Sequence, residues 1–232
     1  NMGEQPLYDL TLTATVGDLV PAIKTLARQC PKHTRYNHPD GSEAIQFAAA
    51  DGQLTLRQYN GEVMAETILP VATDDTFDFA LNGHSFNTTL SKMVGRLTAS
   101  TKASDIPVSY KEDAGTVLID YDDIELMFPT TEWWTKLPEM PLRATLGEIS
   151  ASALREGWNK VKAALLDDDT YPILGAVNLR VHGNKAVLTA TDRYRIAVRE
   201  MWWKPEEVDI DTSALVPART LGDFSRSLTG GN

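Results

Sequence analysis

Apolar residues recur at helical spacing in several stretches of the chain and alternate at strand spacing between them. Leu19, Ile23, Leu26 and Cys30 follow one another at steps of four, three and four, which places them on one narrow stripe and predicts a helix over about Val16–Cys30. Leu154, Trp158, Val161 and Leu165 repeat those steps and predict a helix over about Ala153–Leu166, each member 135 positions after its counterpart. Phe86, Leu90, Met93 and Leu97 do the same over Ser85–Leu97. Between the helices, "DGQLTLRQYNGEVMAE" (Asp51–Glu66) and "GNKAVLTATDRYRIAV" (Gly183–Val198) read as β-hairpins. "IPVSYKED" and "TVLIDYDDIELMF" add strands, with turn signals at Asp113-Ala114-Gly115 and Asp122-Asp123.

These blocks recur in order, as an internal duplication would require. Leu56 corresponds to Leu188 and Met64 to Ile196 at an offset of 132; "FALNGHSFNTTLSKMVGRL" aligns with "SALVPARTLGDFSRSL", matching Leu81 to Leu215 and Leu90 to Phe224 at 134. Each copy is predicted to be an α+β domain of two strand-helix-strands units, with its helices on one side of antiparallel sheets. The proline-rich segment "PTTEWWTKLPEMP" (Pro129–Pro141) separates a first domain, 7–138, from a second, 142–232. The strands that follow the second helix of the first copy have no counterpart after "LTGGN", so the second domain is expected to lack its last strands.

Composition narrows the classes. No apolar run approaches the roughly 20 residues of a membrane helix, and no signal-peptide pattern opens the chain. Asn1, ahead of Met2, reads as a cloning remnant and is set aside. The single cysteine, Cys30, excludes an internal disulfide and suits a reducing cytoplasm. The formal net charge of −10 argues against a surface that coats nucleic acid everywhere, so the placement of the 22 Lys and Arg residues matters more than their sum.

Phosphate-binding loops, dinucleotide fingerprints, nucleophile elbows and paired acid–base carboxylates are all missing from the sequence. No cofactor is expected. Asp167-Asp168-Asp169 reads as a solvated loop rather than a metal site, because adjacent side chains diverge. His33 and His38 lack zinc-ligand spacing.

"YPILGAVNLRVHGNKAVLTATDRYRIAVRE", "ALVPARTLGDFSRSL" and "FPTTEWWTKLPEMP" together resemble the bacterial sliding clamp, the β subunit of DNA polymerase III. That family has Ala-Thr-Asp, then a short segment with Arg and a leucine-like residue, and later Val-Pro before a helix. The chain departs from it at Arg193-Tyr194, where Gly-His is usual, at "RQYN" (Arg57–Asn60), and at Trp133-Trp134, which marks it as divergent. The resemblance implies a non-catalytic, cytoplasmic processivity factor. Three such domains per subunit and a head-to-tail homodimer would form a ring around duplex DNA, without sequence preference. Partners would be the DNA polymerase III alpha subunit, the clamp loader and other clamp-binding proteins. The rival readings are a duplicated protein-binding scaffold and an uncharacterised α+β enzyme.

Two sets of site residues follow. Lys24, Arg28, Lys92 and Arg96 lie off the apolar stripes of the first two helices, Arg155, Lys160 and Lys162 off that of the third, and Arg219 and Arg226 flank the fourth; Arg35 sits in a nearby loop. One such set is an ordinary solvated face, but the recurrence on four helices suits phosphate attraction without base readout. "TATDRYRIAVRE" contains Thr191, Asp192, Tyr194, Arg195 and Ile196. It has no second carboxylate or His for catalysis. It fits a plain hairpin equally, and the resemblance makes it, with Ile173, the wall of a groove for partner peptides. Trp202-Trp203 reads as an exposed patch or, the favoured reading, as a pair covered by the missing strands.

Overall fold

The computed structural model describes residues 10–31, 41–133, 144–166 and 171–228. Arg35, His33, His38, Asp167–Asp169 and most of the proline-rich junction lie outside these residues. The chain divides into two compact units, Asn1–Met140 and Pro141–Asn232.

The first unit runs β1 (Leu10–Thr15), α1 (Val16–Ala27), β2 (Ala44–Ala50), β3 (Gln53–Tyr59), β4 (Met64–Pro70), then β5 (Phe77–Asn82), α2 (Gly83–Val94), the short α3 (Ala99–Lys102), β6 (Asp105–Lys111), β7 (Thr116–Tyr121) and β8 (Ile124–Pro129). Its antiparallel sheets are ordered β4-β3-β2-β5 and β1-β6-β7-β8. Each half therefore gives its first strand to the other half's sheet, β1 to β6 and β5 to β2. Both helices bury their apolar stripes in a core shared by the two sheets: Leu19, Ile23 and Leu26 from α1, Phe86 and Leu90 from α2. At the β7–β8 turn, Asp122 and Asp123 both take positive φ, the conformation of a tight two-residue hairpin turn.

Helix ends follow local chemistry. The Thr15 hydroxyl caps α1 at the Asp18 N–H, and the Asn82 side chain caps α2 at the Ser85 N–H. Helix α1 stops at Ala27, and Cys30 reaches the core from the turn that follows. Helix α2 stops at Val94 because Gly95 adopts φ +67, so Arg96 and Leu97 lie beyond the helix on which the sequence placed them.

The second unit runs β9 (Gly147–Ile149), α4 (Ala151–Val161) with a 3₁₀ turn at Lys162–Ala164, β10 (Ala176–His182), β11 (Lys185–Thr191), β12 (Ile196–Pro205), β13 (Asp211–Pro217) and α5 (Ala218–Ser227). Its sheet is ordered β13-β10-β11-β12-β9. The duplication is visible in the pairing itself. Thr13 bridges Ala72 in the first unit, and their counterparts Glu148 and Lys204 are paired in the second.

Register corrects one sequence alignment. Leu81 pairs with Ile45, and the matching pair is Val216 with Val177, so the offset across β5/β13 and α2/α5 is 135, not 134. Leu81 and Leu90 thus correspond to Val216 and Ser225, which face inward, whereas Leu215 and Phe224 are each 52% exposed. A slip of one position exchanges the two faces of a strand. It also hides a change in the core. Phe47 stacks on Phe79 at 4.8 Å and meets Phe86 edge-on at 5.5 Å. The counterparts Leu179, Ala214 and Leu221 are smaller, Ala214 is exposed, and a pocket of about 300 Å³ open to solvent, lined by Leu179, Ala214, Leu154, Val181 and Trp203, lies in the second unit.

Candidate functional site

The β11–β12 hairpin closes through four residues, Asp192 to Arg195, between the last paired positions Thr191 and Ile196. Its geometry is dictated by one side chain. Asp192 Oδ1 accepts the Tyr194 N–H at 3.0 Å and the Arg195 N–H at 2.7 Å, while the Asp192 N–H donates to the Arg195 carbonyl at 3.3 Å. The counterpart loop in the first unit is built identically. Asn60 Oδ1 accepts the Glu62 and Val63 N–H groups at 3.0 and 2.8 Å, and the Asn60 N–H donates to the Val63 carbonyl at 3.3 Å. The next residue must then turn left-handed: Gly61 does so at φ +96, and Arg193 at φ +80.

What differs is the chemistry mounted on this frame. Arg195 folds back, its Nε and Nη2 donating to Asp192 Oδ2 at 2.9 and 2.7 Å. The guanidinium, followed by the Arg195 backbone N–H, holds the Asp192 carboxyl below the usual aspartate range, against the opposing effect of burial. Thr191 Oγ1 donates to the Arg195 carbonyl at 2.7 Å and accepts the Arg193 N–H at 3.2 Å. Thr191, Asp192 and Arg195 are thus the loop's internal bracing. Tyr194, 93% exposed, and Ile196, 69% exposed, project outward, and Ile196 begins an exposed row along β12 with Val198 and Trp202. Trp203 is half-buried and its Nε1 donates to the Gly183 carbonyl at 2.8 Å.

Beside the loop is a pocket of about 310 Å³ lined by Tyr171, Pro172, Ile173, Leu174 and Arg193. Ile173 lines it, whereas Thr191, Asp192, Tyr194, Arg195 and Ile196 do not. The arginine at its rim is Arg193 instead of Arg195, whose guanidinium is taken by Asp192. Arg193 lies over the Tyr171 ring, 4.0 Å from its centroid. Sequence reasoning missed both residues, although the alignment of Arg193 with Gly61 was a usable signal.

The helix-borne cations differ in how far they are neutralised. Lys24 is exposed in the last turn of α1 and Lys92 in that of α2, where a cation also complements the helix C-terminus. Neither they nor Arg28, Arg96 and Arg219 have an ion-pair partner among the described residues. In the second unit, Lys160 is held by Glu156 at 2.6 Å, Arg226 pairs with Asp223, and Arg155 donates to the Leu228 carbonyl at 2.8 Å. Glu156 also lies 3.4 Å from Arg199, and its carboxyl is held below its usual range, chiefly by the Lys160 hydrogen bond. Lys162 donates to Asn159 at 2.8 Å.

Residues 148–232 match the family described as DNA polymerase III beta subunit, central domain. The beta sliding clamp of Streptomyces coelicolor is 32% identical over 190 residues, covering 81% of this chain and 47% of that protein. The chain belongs to the beta sliding clamp family. It spans about half the length of the sliding clamps it matches over most of its own length. Two solved sliding-clamp structures carry the same fold at low identity. The DNA polymerase III beta subunit of Thermotoga maritima superposes with a TM-score of 0.79 at 18% identity, over 95% of this chain and 56% of that one. The sliding clamp of Bacillus subtilis gives 0.78 at 18%, over 96% and 58%. The duplicated α+β units therefore carry the sliding-clamp fold.

Proposed function

We propose that the chain is part of a DNA sliding clamp, a non-catalytic cytoplasmic subunit that encircles duplex DNA and tethers a replicative polymerase to it. The observation that carries this reading is the charge on the first unit's helices. Helices α1 and α2 bury one apolar stripe each and present Lys24 and Lys92 outward, with Arg28 and Arg96 just beyond their ends. On a chain of net charge −10, these cations attract phosphate locally while the acidic remainder discourages coating. Side chains without fixed geometry hold DNA without reading bases, which suits sliding. Tethering then acts through effective concentration, since a released polymerase stays within reach of its template.

The docking element is the β11–β12 hairpin with the Ile173 pocket. Its occupants are peptide segments of the polymerase alpha subunit, the clamp loader and other clamp-binding proteins. The complete protein acts as a homodimeric ring. The test is retention of the complete protein on DNA. Clamps loaded on a nicked circle remain bound and are released when the circle is linearised. Release indifferent to linearisation would show binding to the outside of DNA and overturn encirclement.

A further inference from the structure

The two units build one hairpin loop twice, and only one copy carries an arginine at its left-handed position. Gly61 occupies that position in the first unit without steric conflict, so the fold itself asks for nothing more than glycine there. Arg193 holds the same conformation at φ +80, which disfavours any residue with a Cβ. The loop bears that strain because Thr191 and Asp192 brace it from within and because the guanidinium is laid on Tyr171, 4.0 Å from the ring centroid. Strain maintained at one copy of a duplicated loop, where the other copy avoids it, marks a side chain kept for what it contacts.

The electrostatics of the loop's two arginines separate their roles. Arg195 is neutralised by Asp192. Arg193 meets no carboxylate among the described residues, and its charge stands at the rim of a pocket otherwise lined by Tyr171, Pro172, Ile173 and Leu174. We propose that Arg193 is a specificity-determining residue of this pocket, clasped on Tyr171, and that it selects partner peptides bearing a carboxylate side chain next to an aliphatic one. The aliphatic group enters between Pro172, Ile173 and Leu174. The carboxylate takes the guanidinium edge, whose N–H groups remain available while its face is on the tyrosine ring. Tyr171 thereby pre-orients the cation, so that less side-chain freedom is lost on binding. The proposal rests on the docking reading of the hairpin.

The experiment pans a random hexapeptide library against the 232-residue chain and its Arg193→Gly and Ile173→Asp variants. Arg193→Gly keeps a conformation that Gly61 already shows the loop accepts, and an unchanged thermal midpoint verifies folding. The expected result is that the unsubstituted chain enriches Asp or Glu beside aliphatic positions, that Arg193→Gly enriches the aliphatic positions alone, and that Ile173→Asp enriches neither. In titrations of a recovered peptide against its Glu→Gln counterpart, the unsubstituted chain prefers the acid by about tenfold, the size of one charge-assisted hydrogen bond, and Arg193→Gly shows a ratio near one. Acid selection that survives Arg193→Gly, or is absent from the unsubstituted chain, overturns the role of Arg193 while leaving the pocket in place. Failure to recover any aliphatic pattern, or one indifferent to Ile173→Asp, sinks the docking reading and this proposal with it.

Discussion

Arg195 closes on Asp192 within its own hairpin, Nε and Nη2 donating to a single carboxylate oxygen, while the other oxygen holds two backbone N–H groups. The two oxygens therefore perform separable tasks. Asp192→Asn retains an acceptor for the Tyr194 and Arg195 N–H groups and loses the ion pair, whereas Asp192→Ala loses both. The alanine variant is expected to disorder the loop, seen as rapid amide exchange at Tyr194 and Arg195, and the asparagine variant to remain protected. Asn60 in the first unit supports this order, because it builds the same loop without charge. The pH dependence follows in sign. A carboxyl held below its ordinary value of 3.8 contributes its full stabilisation above that pH and loses it as pH falls through the lower folded value. Chemical shifts of the two amides are expected to titrate below pH 3.8 in the unsubstituted chain and to lose that step in Asp192→Asn.

Attraction to DNA is expected to come more from unpaired helix cations such as Lys24 and Lys92 than from the paired Lys160. Lys24 and Lys92 have no ion-pair partner among the described residues, while Lys160 is matched by Glu156. A phosphate sees a near-neutral pair at the latter. In the complete protein, Lys24→Gln or Lys92→Gln is expected to reduce the slope of log affinity against log salt by up to about 0.9 each, the contribution of one phosphate contact. The paired deletion Lys160→Gln/Glu156→Gln leaves net charge unchanged and is expected to leave the slope within error. A slope that falls equally in all three variants would reject this division.

Burial periodicity made much of the fold legible from the chain alone. The stripes Leu19–Ile23–Leu26 and Leu154–Trp158–Val161 are core in both units, and both hairpins pair as their alternation indicated. The alignment of β5 with β13 slipped by one because Phe77 and Phe79 have become Thr212 and Ala214, leaving no aromatic landmark to fix the register. Helix α2 was overextended since a spacing rule cannot see Gly95 turning left-handed. At the candidate site, residue type alone did not show which arginine lines the pocket beside the hairpin. That choice depends on Asp192, which sits three positions before Arg195 and captures it.

Cys30 and Gly83 are matched in the first unit's core. A methyl added at Gly83 would lie 2.5 Å from the Cys30 sulfur and 3.1 Å from the Ile45 side chain. Gly83→Ala is therefore expected to cost about 1–3 kcal/mol through overpacking. Cys30→Ala alone leaves a small void and costs about 1 kcal/mol. Together they are expected to compensate, with a coupling above about 0.5 kcal/mol in urea unfolding. Burial, reinforced by Glu43, raises the Cys30 thiol to about 12, so thiol reagents at neutral pH should modify the protein only as fast as it unfolds.

The open pocket of the second unit offers the converse test. Where the first unit stacks Phe47 on Phe79, the second sets Leu179 beside Ala214, and about 300 Å³ remains open under Trp203. Because the two pairs occupy the same register positions, the backbone there already suits an aromatic pair. Ala214→Phe is expected to stabilise the 232-residue chain, by about 0.5–1 kcal/mol because the pocket is open to solvent, and Leu179→Phe/Ala214→Phe to do so by more if the stack re-forms. The same Ala→Phe change at Ala49, already enclosed in the first unit's core, should destabilise through overpacking. Chemical denaturation of the three variants decides the matter: a loss of stability in Ala214→Phe would mean that the second unit's sheet does not share the first unit's packing geometry, despite its register.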